Sequence, residues 1–412
     1  MGPSLIFDKS TLESLNEDDS IWLENFFINN ITPTFYVETL ADLQPSIKNP
    51  RSREPEKIIK EIAKKTPIRS SYPNVHFQRL IIGNLFGQQI EMDGRPIVGG
   101  GQPKITKDGK IGVHYEESKE SIAMKRWFEG KFLEIEKDFA KEWRDTLDVL
   151  DFNYYLNIVK YLIPDNISNL QDVWNYVNDF TSKKSQILLE YLFDFLNISE
   201  KHRKGIKRRW QYEAEPALIT FCPYALYVFK VKLLFFIGMF KSFISSVRSS
   251  NIVDLSYLYY LPFCNVFVSN DKLHSRLCPF LLSNEQLFID GKDLKYGLNL
   301  LSNYYSKFST EIDEIGILQF AYQPPKDMKN IVSDIWDRFF PNWRSIKSKI
   351  KVNNKSNDDR SLLKNIKDIK SPSTNYGKQI TDFDKTDFMT FSTFVPVKRG
   401  KWRILPKGIE KK

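Results

Sequence analysis

The sequence predicts an α/β protein in which a parallel sheet, flanked by helices, is interrupted by a large and mainly helical insertion. Two short apolar runs predict buried strands: Ser4-Leu5-Ile6-Phe7 near the N-terminus, and Asn265 to Ser269 late in the chain. Neither run alternates apolar with polar residues, which is typical of strands buried on both faces of a parallel sheet. Between them, the stretch from Glu116 to about Ile198 repeats apolar residues at three- and four-residue intervals, as helices do.

Composition supports a folded chain with an anionic partner. The 412 residues are 42% hydrophobic and 14% aromatic, which excludes a disordered protein and allows a substantial core. The formal net charge is +9 and the sequence pI is about 9.1. This excess of positive charge favours nucleic acid as a partner.

Carboxylates follow both predicted strands. Asp8 comes directly after the first strand, and Asp271 follows the later one through Ser269 and Asn270. In open parallel sheets, ligands bind outside the carboxyl ends of the strands. The two acids are therefore expected at one edge of the sheet.

Two further acids are predicted on helices that flank these strands. Thr32 can cap a helix with Pro33 in its first position, which places Glu38 one turn further in and Asp42 four residues later on the same face. Asp254 is predicted to open a short amphipathic helix, which a turn at Pro262 connects to the late strand.

This layout resembles the acidic constellation of the PIN-domain nucleases. The resemblance covers roughly residues 1–43 and 251–301, and the two halves are separated by more chain than a compact domain of that family needs. It implies a small parallel α/β core, here discontinuous, that holds Mg²⁺ or Mn²⁺ and hydrolyses phosphodiester bonds. RNA rather than DNA is the substrate it implies, with a role as a toxin or defence effector or in RNA processing.

The resemblance assigns metal ligation and catalysis to four residues, Asp8, Glu38, Asp254 and Asp271. Hard divalent cations take oxygen ligands, so a few carboxylates converging at a sheet edge suit Mg²⁺. The neighbouring polar and basic residues expected to contact the substrate are Ser269, Asn270, Lys272 and Lys292.

Each acid also has a simpler interpretation. Asp254 can cap its helix, and Asp8 and Asp271 can form turns after strands. A competing hypothesis is accordingly a non-catalytic nucleic-acid-binding or scaffold protein on the same fold. A third, a membrane-associated protein built on residues 216–247, is disfavoured because Pro223, Lys230 and Lys232 interrupt that apolar run.

The remaining chain divides into four regions. A loop and hairpin region (44–115) is predicted to hold a basic helix at Glu56–Lys65 and short strands at Arg79–Ile82, Arg95–Val98 and Lys110–Val113. The helical insertion (116–250) includes the basic run Lys201–Trp210, which is either a phosphate-binding patch or a solvated linker. The core continues over 251–305, with a strand at Glu285–Ile289 and a helix at Gly291–Tyr305.

A helical extension (306–344) precedes a basic, partly disordered tail (345–412). Within the tail, Ser345–Thr381 is predicted to be poorly ordered. Phe388–Pro396 is predicted to be β-like, and Lys398, Arg399, Lys401 and Arg403 to form a docking surface.

The cysteines and the lack of a recognisable signal peptide predict a reducing, cytoplasmic location without a membrane. Cys222, Cys264 and Cys278 show no metal-binding spacing. Among the four histidines only His274 lies near the acids, and a structural role is the favoured interpretation for it. A protein partner that inhibits or activates the enzyme is compatible with the sequence, which does not identify one.

Overall fold

A computed structural model describes residues 2–44, 54–69, 71–106, 109–148, 152–164, 166–245, 250–345 and 387–408. Strands in these ranges are β1 (Ser4–Phe7), β2 (Ile28–Ile31), β3 (Ser71–Pro73), β4 (Gln102–Ile105), β5 (Ile111–Tyr115), β6 (Val266–Ser269), β7 (Leu287–Asp290), β8 (Phe388–Phe391), β9 (Lys398–Arg399) and β10 (Trp402–Arg403).

The α-helices of the same ranges are α1 (Lys9–Ser14), α2 (Glu17–Phe26), α3 (Pro33–Leu40), α4 (Pro55–Lys65), α5 (Phe77–Leu85), α6 (Lys119–Phe128), α7 (Glu134–Asp148), α8 (Asn153–Leu162), α9 (Leu170–Ser182), α10 (Gln186–Phe195), α11 (Glu200–Tyr212), α12 (Leu218–Phe221), α13 (Pro223–Phe240), α14 (Asn251–Leu258), α15 (Lys272–Leu281), α16 (Gly291–Tyr305), α17 (Ser309–Phe320) and α18 (Ile331–Phe339). Short 3-10 turns lie at Ala41–Leu43, Leu261–Phe263, Ser306–Phe308 and Trp343–Ser345.

Five strands form one sheet in the order β3-β2-β1-β6-β7, and every neighbouring pair is parallel. The predicted α/β class with a parallel sheet flanked by helices is confirmed. β1 and β6 are central, and all residues of both strands are buried, which is why neither shows alternation in the sequence. Leu5 pairs with Val266 and Phe7 with Val268, so two distant parts of the chain form the middle of the sheet.

The sequence did not predict β2. α2 ends at Phe26, and β2 begins two residues later at Ile28. Asn29 and Asn30 occupy the middle of the strand, fully buried, and their amides donate to backbone carbonyls of Leu23, Phe27 and Phe263. Buried asparagines whose N–H groups are bonded in this way remove the apolar signal that a buried strand normally gives.

The region 44–115 also differs from its prediction. Arg79–Ile82 lies in α5 and is not a strand, and Arg95–Val98 has no strand structure. The strand predicted at Lys110–Val113 is confirmed as β5, which pairs with β4 across a turn containing Gly109 (φ +83°) and with β8 from the C-terminal segment. The region therefore contributes α4, α5 and the edge strand β3 to the body of the protein, in addition to a hairpin.

The helical insertion is built around α13. This is the one helix in the described ranges that is long and apolar enough to cross a membrane, and 72% of it is buried inside the protein. α13 packs against α5, α8 and α9, and the Lys232 ammonium donates to the carbonyl of Phe195. This arrangement is that of a core helix and is compatible with a soluble protein.

The basic run Lys201–Trp210 lies in α11, so the linker interpretation is wrong. Ile206 and Trp210 are buried, while Lys201, Lys204 and Arg208 are exposed. A phosphate-binding role for this helix remains a prediction.

The C-terminal segment packs on the core through Arg399 and Trp402. Arg399 is buried, forms an ion pair with Glu24, and donates to carbonyls of α4 and the residues that follow it. Trp402 lies against Trp22 with 4.9 Å between ring centroids. The prediction of a free docking surface is therefore wrong for Arg399. The disorder predicted for Ser345–Thr381 falls, from residue 346 onward, outside the described residues.

We predict that Arg399→Met lowers the free energy of unfolding by about 3–5 kcal/mol, because it leaves Glu24 buried with one of its two cationic partners removed. Arg69, whose Nε lies 3.0 Å from Glu24 Oε1, would remain. The midpoint of urea unfolding, followed by circular dichroism, measures the change.

Lys398→Met is the matched control on the same strand. Lys398 is exposed, and a change there should stay within about 0.5 kcal/mol. Equal effects of the two substitutions would contradict the assigned role of Arg399.

Candidate functional site

The candidate site lies at the carboxyl edge of the sheet, between β1 and β6. From β1 the chain runs outward to β2 and β3 on one side, and later from β6 to β7 on the other. The strand order therefore reverses between β1 and β6, and such a switch point forms a crevice where ligands of open α/β sheets bind. Asp8 directly follows β1, and Asn270 and Asp271 directly follow β6.

Asp8 is almost completely enclosed by hydrogen-bond donors. Its Oδ1 lies 2.8 Å from the backbone nitrogen of Thr11 and 2.7 Å from the Thr11 hydroxyl, and its Oδ2 lies 2.8 Å from the Ser10 hydroxyl and 2.7 Å from that of Ser269. Burial alone would raise the pKa of Asp8, but His274 and these donors lower it. Asp8 thus caps α1 as an ionised carboxylate.

His274 joins three of the predicted acids. Its Nε2 lies 2.7 Å from the backbone carbonyl of Asp254, and its Nδ1 lies 2.7 Å from the Ser269 hydroxyl. The same hydroxyl is 2.7 Å from Asp8 Oδ2 and accepts from the backbone N–H of Asp271. A continuous hydrogen-bonded chain therefore runs from α14 through α15 and β6 to the end of β1.

Counting protons along this chain assigns His274 as an imidazolium. The Ser269 hydroxyl has one proton, which goes to the acceptor-only Asp8 carboxylate, so Nδ1 must donate to Ser269. Nε2 faces a carbonyl and must also donate. Burial by itself lowers the pKa of His274, but the hydrogen bond and charge of Asp8, with those of Asp254, raise it to about 9.

The Asp254 carboxylate is only partly compensated by a neighbouring cation. It is partly exposed in the first turn of α14, and no described residue donates a hydrogen bond to its side chain. Burial raises its pKa, His274 opposes the rise, and the charges of Asp271, Glu38 and Asp8 add to it, giving a value of about 7. Asp254 does not open the helix as predicted, because α14 begins at Asn251 with Ser250 before it.

Glu38 and Asp42 face a lysine that directly follows Asp8. Glu38 accepts from the Tyr257 hydroxyl at 2.7 Å, and Asp42 Oδ2 lies 2.7 Å from the Lys9 ammonium. Burial raises the pKa of Glu38, and the charges of Asp8 and Asp42 raise it further. Lys9 and Tyr257 lower the pKa, but the net change is an increase. Asp42 does not share a helical face with Glu38 as predicted, since α3 ends at Leu40 and Asp42 lies in the following 3-10 turn.

The predicted substrate-binding residues fall into two groups. Ser269 is buried and its hydroxyl is fully used by its three neighbours, so it holds the site together and has no capacity left for substrate. Lys272 and Lys292 are exposed in the first turns of α15 and α16, next to the strand ends. Asn270, directly after β6, packs against Gly291, and its Oδ1 is buried without a hydrogen-bond partner in the described part of the chain.

Two partly exposed carboxylates, on Asp254 and Asp271, are the available ligands for a metal. Asp271 caps α15 through one oxygen, 2.6 Å from the Leu273 nitrogen. Within the described ranges, no three His, Cys, Asp or Glu side chains converge closely enough to form a metal group by themselves. Mg²⁺ sites commonly use one or two carboxylates completed by water and substrate phosphate. Asp254 and Asp271 therefore match the number of carboxylates that such a site uses.

Lys9 and Tyr257 were not predicted as site residues from the sequence, and only a structural role was favoured for His274. Lys9 directly follows Asp8, the acid at the end of β1, and this position could have indicated that it belongs to the site. Tyr257 lies three residues after Asp254 on α14, so both side chains face the same side of a helix, a spacing that could have identified it.

No family model, no curated protein and no solved structure matches the chain. The interpretation of the site therefore rests on its own geometry and charge.

We predict that Asp254→Asn increases stability above pH 7 when divalent cations are removed by EDTA. The raised pKa means that the folded protein binds a proton more readily than the unfolded chain between about pH 4 and pH 7. The wild-type free energy of unfolding therefore falls as the pH rises through this window. The neutral amide avoids this loss, with an expected gain of about 1–2 kcal/mol at pH 8, since partial exposure screens the charge.

Urea unfolding at several pH values measures this effect. Asp293→Asn, which changes an exposed acid in α16, is the control and should leave the pH dependence unaltered. A destabilised Asp254→Asn protein at pH 8 would show that the carboxylate has a structural partner.

Proposed function

We propose that this protein is a metal-dependent nuclease, built on a discontinuous core that resembles the PIN-domain nucleases. The observation that carries the proposal is Asp254, a partly exposed carboxylate to which no residue in the described ranges donates a hydrogen bond, placed among three other acids at the switch point of a parallel sheet. Acids whose mutual repulsion and burial shift their pKa values in this way are typical of functional sites.

The charge balance of the site supports a cation ligand. Five carboxylates interact electrostatically here, those of Asp8, Glu38, Asp42, Asp254 and Asp271, and among the described residues Lys9 and His274 are buried cations that face them. A protein with a net charge of +9 that nevertheless concentrates acids at one sheet edge loses stability there. Binding a divalent cation at Asp254 and Asp271 would offset that loss.

Different residues of the site would have different roles in hydrolysis. A bound Mg²⁺ or Mn²⁺ would polarise the scissile phosphate and make a water molecule more acidic. Asp254 and Asp271 would hold the ion, and Asp8 links the ends of β1 and β6 through its contact with Ser269. Glu38, oriented by Tyr257, accepts a proton from the attacking water.

The lysines at the rim are suited to a polyanionic substrate. Lys272 and Lys292 are exposed at the starts of two helices that follow the neighbouring strands β6 and β7. Cations in this position attract backbone phosphates without reading sequence. RNA is the proposed substrate, and binding is expected to weaken as salt concentration rises.

We predict metal-dependent cleavage of labelled single-stranded RNA that is reduced about 100-fold or more in Asp254→Asn and Asp271→Asn, the size of effect seen when one preorganised electrostatic group is lost. Single-stranded DNA and structured RNA are tested in parallel, with Mg²⁺, with Mn²⁺ and with EDTA. Asp293→Asn is the control and should cut like the wild type.

The competing hypothesis is a non-catalytic nucleic-acid-binding or scaffold protein. It is favoured by the two internal cations, Lys9 and His274, which already neutralise part of the acid cluster. Under this hypothesis, RNA binding measured by fluorescence anisotropy is the same with metal, with EDTA and in Asp254→Asn. That outcome, together with no cleavage under any condition, would replace the nuclease proposal.

A further inference from the structure

Helix α11 carries six Lys and Arg residues but only one acid, Glu200. Three of these cations form ion pairs with acids of the helical insertion: Arg203 with Asp194, Lys207 with Glu190 and Arg209 with Glu213. Arg209 also donates to the carbonyls of Asn84 and Leu85 at the end of α5. The paired cations therefore hold α11 in a fixed orientation on the protein.

The other three cations of α11, Lys201, Lys204 and Arg208, lie on a different face. All three are exposed, and no residue in the described ranges pairs with them. Their spacing of three and four residues places them on one side of the helix, over about 10 Å of its length. Ile206 and Trp210, which are buried, lie on the opposite side.

The positions of the unpaired cations are unfavourable for the helix itself. Like charges three and four residues apart repel each other on a helix surface. Lys201 also lies in the first turn, where the positive end of the helix dipole disfavours a cation. A bound anion would offset both effects, because it would neutralise charges that no described side chain neutralises.

Two exposed aromatic rings border these cations. Tyr212, one turn after Arg208 at the end of α11, is 91% exposed. Phe86, directly after α5, is 47% exposed and packs beside Gly205, where a Cβ would lie 3.1 Å from its ring. Single-stranded nucleic acid binds to surfaces of this kind, because its bases stack on the rings while its phosphates meet the cations.

Other anionic partners fit this surface less well. A helix that binds a membrane surface inserts its apolar face into the lipid. The apolar residues Ile206 and Trp210 of α11 are instead buried inside the protein. A run of acidic side chains would pair with the cations and leave the two rings exposed. The combination of cations and rings therefore favours a nucleic acid.

We propose that Lys201, Lys204, Arg208, Tyr212 and Phe86 form a docking surface for single-stranded RNA, called here the α11 surface. The contacts that hold α11 come from α5 and the insertion, whereas the acids of the candidate site follow β1 and β6 or lie on other helices. The inference takes RNA as the partner from the proposed function. It gives the insertion the role of binding substrate outside the acid cluster.

The test measures binding of a fluorescently labelled uridine oligonucleotide to the full chain in EDTA, by fluorescence anisotropy at several salt concentrations. The charge variant is Lys201→Gln/Lys204→Gln/Arg208→Gln. We expect it to bind about 100-fold more weakly at about 0.1 M salt, with a slope of log K against log salt that is shallower by about 2, since each phosphate contact contributes about 0.7 to the slope.

The matched control removes the same number of charges from exposed lysines elsewhere, in Lys119→Gln/Lys141→Gln/Lys307→Gln. Its affinity for the RNA should stay within about 2-fold of the wild type, because distant exposed charges are screened by salt.

Tyr212→Ala tests the stacking contact separately. We expect RNA binding that is weaker by about 5-fold or more, with an unchanged salt slope, because stacking involves no phosphate. Tyr161→Ala, which removes an 84% exposed tyrosine from α8, is the control and should bind like the wild type.

The outcomes separate the α11 surface from the nuclease proposal. Equal RNA affinity in the charge variant and its control would overturn the α11 surface, and RNA cleavage by the wild type would then still support the nuclease. Polyglutamate that binds as tightly as RNA, and no longer binds to the charge variant, would overturn RNA as the partner in favour of an acidic protein. If the wild type cuts no RNA with any metal while the charge variant loses RNA binding, the nuclease proposal fails and the α11 surface stands.

Discussion

The pairing of β1 with β6 is the constraint on which the rest of the structure depends. It places the Ser269 hydroxyl against Asp8, although the two residues are 261 positions apart. The entropy lost on closing a long loop rises only slowly with its length, so a large insertion is tolerated at this point. At the other end of the same pair, Asn265 bonds to Ser4 through backbone and side-chain atoms, which fixes the register of the strands.

Register in turn fixes the chemistry of the edge. A slip of one residue would turn Ser269 away from Asp8 and break the chain through His274 to Asp254. The site is thus specified by buried polar contacts that tolerate little displacement, while Asp254 and Asp271 remain open to solvent. The buried hydrogen bonds hold the backbone in place while these two carboxylates have few hydrogen-bond donors. Such an arrangement favours ligand binding at the expense of stability.

The features that could be predicted from the sequence are those that depend on residues close together in the chain. The apolar runs of β1 and β6, the cap formed by Thr32 and the helix Gly291–Tyr305 all appear at the expected places. The features that it did not reveal depend on contacts between distant residues. Asn29 and Asn30 are hidden in β2 because their partners are carbonyls elsewhere in the fold, and Arg399 has the appearance of a surface arginine until Glu24 is placed beside it.

The helical insertion is connected to the site through the helix that carries Asp254. Two tyrosine hydroxyls of α13, from Tyr224 and Tyr227, donate to the carbonyls of Tyr259 and Leu258 at the end of α14. At the start of α14, His274 donates to the carbonyl of Asp254 itself. The position of this acid is therefore set jointly by the core helix of the insertion and by the sheet. A displacement of α13 relative to the sheet would move α14, and because Asp254 is the acid with the fewest other restraints, its carboxylate would respond first.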